Sequence, residues 1–110
     1  MEHLGTYEAG SDWTFTLTLN DRDGAAVNLK SGGDATLTAF VERNGAIYLN
    51  DVSVTIGGDT DGNPVTLPVT DTNSAKLPKG KFDLRIKAVL SDNTVLRWRQ
   101  TFAIVTGGDV

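Results

Sequence analysis

Strict alternation of apolar and polar residues, repeated in several short segments, limits what this chain can fold into more than any other feature. In Trp13-Thr14-Phe15-Thr16-Leu17-Thr18-Leu19 every second residue is apolar and each intervening one is threonine. A period of two marks a strand with one buried face, because successive side chains leave a strand on opposite sides. β-branched threonine suits the solvent side of a pleated sheet. The segment from Asn20 to Gly24 then predicts a turn, with Asp23-Gly24 supplying a residue tolerant of positive φ.

The same period recurs downstream. Over 35–43 (ATLTAFVER), Ala35, Leu37, Ala39 and Val41 share one side and Phe40 falls out of phase. Asn44-Gly45 is a short-range hairpin signal, with Ile47-Tyr48-Leu49 as the returning strand. Val52, Val54 and Ile56 alternate again before the long loop signal of residues 57–64. Val65, Leu67 and Val69 follow, and Pro64 and Pro68 point to an edge position. Over 81–90, Phe82, Leu84, Ile86, Ala88 and Leu90 face one way and Asp83, Arg85 and Lys87 the other. After the turn at 91–94, Leu96, Trp98, Phe102 and Ile104 are expected inward, with Arg97, Arg99 and Thr101 outward. No window of ten or more residues has helical periodicity. About seven or eight short strands with Gly/Asn/Asp turns predict an all-β, single antiparallel β-sandwich that buries Trp13 and Trp98 between its sheets. One domain over 1–110 is expected, with a short N-terminal arm (1–8) and a C-terminal tail (106–110).

Composition removes several functions. The 110 residues include no cysteine and a single histidine, so disulfides, thiolate chemistry and Cys-based zinc sites are excluded. A net charge of −4 argues against a nucleic-acid partner, which calls for a concentrated basic face. No apolar stretch approaches the roughly 18–20 residues that span a bilayer, so no membrane partner is expected. The opening residues lack a basic segment followed by an apolar one, which predicts a chain made in a cytoplasm and kept at its full length.

Candidate sites are few. Asp59-Thr60-Asp61-Gly62-Asn63 alternates oxygen-bearing side chains as calcium loops do, but position twelve of that loop is Thr70 and not the bidentate glutamate required. Asp, Asn and Gly are ordinary turn formers, and the expectation is no metal and no cofactor. His3, alone near the start, reads as a surface residue. G-x-S-x-G, P-loop and H-E-x-x-H motifs do not occur, and no pair of carboxylates is placed together, so the chain is not expected to be an enzyme. Arg85, Lys87, Arg97 and Arg99 fall on the outward face of two adjacent strands. They form either a grip for an anionic partner or a solvated face balanced by Asp83 and Glu42. Phe40 and Tyr48, opposite the inward set, are candidate interface aromatics together with Tyr7. A single register bulge would turn Phe40 or Tyr48 into core.

The order of these segments resembles a known group. "GSDWTFTLTLNDRDGAAVNL", "ATLTAFVERNGAIYL" and "LPKGKFDLRIKAVLSDNTVLRWRQTFAIV" are similar to the Ig-like β-sandwich of bacteriophage virion proteins. The nearest likeness is to the N-terminal domain of baseplate upper proteins and related tail, neck and decoration modules. Gly10-Ser11-Asp12 and Asp23 to Leu29 occupy the places of the opening Gly-Asp and the Asp-Gly-x-Pro-Val-Asp-Leu turn, with Ala26 where proline is common. Leu77 to Val105 matches the closing Leu-Pro-x-Gly-x-Phe/Tyr strand, turn and final strand. The resemblance implies a structural or adaptor component of a phage particle, assembled in the host cytoplasm. It would be a free-standing module that docks to other virion proteins in a symmetric homo- or hetero-oligomeric assembly. Tyr7, Phe40, Tyr48, Arg97 and Arg99 are the residues assigned to that contact. The alternatives are a carbohydrate-binding or host-adhesion module that takes a host surface glycan, and a capsid decoration protein.

Overall fold

A computed structural model describes residues 2–30, 32–50, 52–57 and 62–105, with the backbone alone for residues 2 and 3. The described residues form seven strands: β1 (Glu2–Glu8), β2 (Trp13–Leu17), β3 (Thr36–Arg43), β4 (Ala46–Leu49), β5 (Val65–Val69), β6 (Gly80–Val89) and β7 (Val95–Val105). One helical turn, α1 (Asp71–Ser74), joins β5 to β6. Five strands form one sheet in the order β1-β7-β6-β3-β4, and β2 and β5 form a second. Side chains from the two inner faces make one core, in which Phe82, Phe102, Leu19, Leu67, Leu84, Ile86 and Ile104 are fully buried. The Ig-like β-sandwich of about seven or eight strands expected from the periodicity and the resemblance is the observed architecture, with seven strands among the described residues and one pairing, β1 with β7, parallel where all were expected antiparallel.

The long strands follow the alternation closely. In β6, Phe82, Leu84, Ile86 and Ala88 are buried, and β7 pairs with it antiparallel from Gly80↔Ile104 to Val89↔Val95. The β3–β4 hairpin turns at Asn44 and Gly45, with φ of 53° and 83°. Two successive positive φ values give the turn whose twist matches that of the flanking strands. Pro68 is exposed opposite Thr14 in the two-stranded ladder, a place where its missing N–H is tolerated. The alternating run at Val52–Ile56 contributes only one bridge, Thr55↔Thr66, although Val52 is buried.

Residues 2–8, read from sequence as an arm, are instead strand β1, paired parallel to β7 from Glu2↔Gln100 to Glu8↔Val105. A hairpin forces antiparallel pairing, but the chain leaves β1 for the other sheet, so β1 is free to run alongside the last strand. A register irregularity between His3 and Thr6 contains Gly5, whose φ of 130° a side-chain-bearing residue rarely adopts. The turn after β1 is anchored from α1. The buried Ser74 hydroxyl donates to the Ser11 carbonyl (2.7 Å) and accepts from the Gly10 N–H (2.9 Å). The Asp71 N–H donates to Asp12 Oδ1. The tail at 106–110 lies outside the described residues.

Candidate functional site

Strand register assembles the site. On the outer face of the five-stranded sheet Arg85 stands directly opposite Arg99, and Lys87 opposite Arg97. On the other side of β6, Phe40 faces Arg85 and Thr38 faces Lys87. Four cations therefore sit in a two-by-two ladder, with positions about 5 Å apart across the strands and about 6.6 Å apart along them. Like charges placed directly opposite in a sheet are destabilising. Only Arg85 has a carboxylate partner among the described residues: its Nη1 lies 2.6 Å from Glu42 Oε1. Lys87, Arg97 and Arg99 are exposed and have no ion-pair partner among those residues. Balance by Asp83 and Glu42 thus reaches one cation of the four.

Phe40 is half-buried on this face and, with Thr38, Arg85, Ile86, Lys87 and Arg97, lines a groove of about 100 Å³. A wider open cleft of about 480 Å³ adjoins it at Arg97, lined also by Asn20, Asp21, Arg22, Val95, Leu96 and Trp98. Ile47 and Val95 add exposed apolar area, at 55% and 43% exposure. The cation ladder thus lies among apolar side chains, the mixture found in the anchors of protein interfaces.

Two of the expected interface aromatics are engaged elsewhere. Tyr7 stacks on Trp13 with ring centroids 4.7 Å apart, meets Phe15 edge-on at 5.2 Å, and donates its hydroxyl to the Leu4 carbonyl at 3.1 Å. Burial pushes its pKa above the usual tyrosine value. Tyr7 closes the core because β1 belongs to the sheet and is not an arm. Tyr48 packs edge-on against Phe82 at 5.1 Å, under the Arg43 guanidinium, which donates to the Tyr48 hydroxyl at 3.3 Å. Beyond the turn Glu42 pairs with Ile47, which sets Ile47 outward and Tyr48 toward Phe82, and the register irregularity between Val41 and Glu42 then brings Leu49 inward as well. The structure therefore brings Phe40, Arg97 and Arg99 together and sets Tyr7 and Tyr48 apart from them. Trp98 is on the inner face as expected, half-buried, with its indole N–H donating to the Asn20 carbonyl at 2.7 Å.

Of the loop weighed as a calcium site, residues 59–61 lie outside the described residues. Asn63, the last of its oxygen donors, is turned to the core. At 5% exposure it accepts from the Leu19 N–H at 3.1 Å and donates to the carbonyls of Val27 and Leu19. Among the described residues no three His, Asp or Glu side chains gather as metal ligands, and no helix is long and apolar enough to cross a membrane.

The fold is shared with other solved proteins. CopC from Methylosinus trichosporium OB3b is similar at 14% identity over 96% of this chain and 84% of that one, with a TM-score of 0.52. The fibronectin(III)-like modules of Clostridium thermocellum CbhA are similar at 17% identity over 96% of this chain and 43% of that one, with a TM-score of 0.47. No family model and no curated protein matches the chain. Together with the two packed sheets, the likeness to CopC defines the class: an Ig-like β-sandwich. At such identity it defines the fold alone, and function has to be argued from the site.

Proposed function

We propose that this chain is a non-catalytic docking module of a bacteriophage particle, a structural or adaptor component that holds neighbouring virion subunits. The observation that carries docking is the outer sheet face, where Lys87, Arg97 and Arg99 lack carboxylate partners among the described residues and lie beside half-buried Phe40. A fold gains nothing from opposing like charges, so their natural counterpart is a second surface. The sandwich also has edges available for pairing at β1 and β4, the outermost strands of the larger sheet. Placement in a phage particle rests on the resemblance carried by 10–29, 35–49 and 77–105.

Protein docking is favoured over sugar stacking because Tyr7 and Tyr48, two of the three aromatics a sugar could stack on, pack against Trp13 and Phe82, and the third, Phe40, is half-buried among cations. The test is cross-linking mass spectrometry on particles purified from a lysate of the host that carries the gene. The chain is expected in stoichiometric amount, with cross-links from Lys87 to another virion protein. Its absence from washed particles would refute the particle assignment.

A further inference from the structure

The ladder has a spacing as well as a charge, and the spacing selects a partner. Arg85 and Lys87 are two residues apart on β6, and Arg97 and Arg99 are two apart on β7. Side chains on one face of any extended segment repeat at that same interval of about 6.6 Å. We propose that the outer face of β6 and β7 docks an acidic, extended polypeptide segment that presents carboxylates at alternate residues. This rests on the docking reading above and names the chemistry of the partner at that site.

Three observations support that occupant. Charge complementarity is the first: Lys87, Arg97 and Arg99 project from the face with no carboxylate partner among the described residues. The second is the apolar floor. Phe40 lines the groove between Arg85, Lys87 and Arg97, so a strand with alternating acidic and small side chains meets cations and a half-buried ring together. The third is the extent of the positive field. The chain as a whole carries −4, so the ladder is a local basic island on an acidic protein. A short acidic segment matches such an island, whereas a nucleic-acid backbone would run beyond it over repelling surface. Single-stranded nucleic acid also needs a row of stacking rings, and this groove offers Phe40 alone.

The full-length protein is titrated calorimetrically at low salt with an acetylated, amidated octapeptide alternating glutamate and threonine. A second octapeptide of the same composition carries glutamates and threonines in pairs, so that half its carboxylates turn away. An oligodeoxythymidylate of equal charge is the third probe. Saturable binding of the alternating peptide is expected, weaker for the paired peptide and for the oligonucleotide, and suppressed by added salt. The double variant Arg97→Gln, Arg99→Gln should lose about tenfold in affinity, while Lys76→Gln, beside α1, should bind as wild type. Circular dichroism checks that each variant keeps its fold.

No saturable binding at millimolar peptide, equal binding of both peptides, or affinity unchanged in the double variant would each overturn the proposal. Tighter binding of the oligonucleotide would replace the partner with a nucleic acid. Presence in particles without peptide binding refutes the acidic-segment proposal and leaves the docking role standing. Peptide binding without presence in particles refutes the particle assignment and leaves the acidic-segment proposal standing.

Discussion

Removing the amide of Asn63 tests the main polar tie inside the sandwich. The side chain joins three backbone groups: it accepts from the Leu19 N–H and donates to the carbonyls of Val27 and Leu19. In Asn63→Ala the Leu19 carbonyl keeps a partner, the Val27 N–H at 2.9 Å. The Leu19 N–H, on a residue with 0% exposure, is left without one. A buried orphaned donor costs about 1–3 kcal/mol, and the bond lost at the Val27 carbonyl adds about 0.5–1.5 kcal/mol. The total of about 3 kcal/mol is a large share of the 5–15 kcal/mol typical of a domain. Urea unfolding followed by fluorescence of the two tryptophans should show the midpoint falling by about 2 M, for an m-value near 1.5 kcal/mol/M. Asn63→Asp sharpens the test. It keeps an acceptor for Leu19 but turns an unpaired carboxylate toward two carbonyls, so its pKa in the folded state is raised. A raised carboxyl pKa penalises folding at neutral pH, and the penalty shrinks as pH falls through the folded value. Asn63→Asp should therefore lie closer to wild type at pH 4 than at pH 7. A loss below about 0.5 kcal/mol in Asn63→Ala, or a pH-independent deficit in Asn63→Asp, would show that this pairing does not hold the fold.

Three further outcomes follow from the same geometry. Arg97→Glu places a carboxylate opposite Lys87 in the ladder, and thermal unfolding should show a gain of about 0.5–1 kcal/mol, a few degrees in Tm; a lower Tm would contradict the like-charge account. Tyr7 should ionise above the ordinary tyrosine range in an ultraviolet titration, with the late component absent in Tyr7→Phe. Its raised folded pKa means that the associated stability is present below about pH 10 and is lost as pH rises through the folded value. Asp92 should titrate below the usual aspartate range by NMR, because the Thr94 hydroxyl and N–H donate to its carboxylate; Thr94→Val should move it part of the way back up.

The basic outer face was legible in part. Period-two patterning places Arg85, Lys87, Arg97 and Arg99 outward, but only the register of β6 on β7 sets them in opposing pairs. Two slips were local. Gln100 stands in the inward series between Trp98 and Phe102 and is buried, so the alternation itself assigns it to the core despite its amide. Tyr48 was misplaced because the two-residue Asn44-Gly45 turn pairs Glu42 with Ile47, which sets Ile47 outward and the next residue, Tyr48, toward Phe82.

By itself the sequence determined strands β2 to β7, the turns between the long ones and most of their buried faces, because alternation and positive-φ turn residues act between near neighbours. Trp13–Leu17, the Asn44-Gly45 turn and the Phe82–Ala88 face were all readable from a few residues. Tertiary structure alone decided that residues 2–8 pair parallel with β7, that Ser74 ties down the turn after β1, and that Asn63 bonds to Leu19. Those contacts join residues far apart in the chain. Their free energy depends on which groups the collapsed core leaves without water, and no local pattern encodes that.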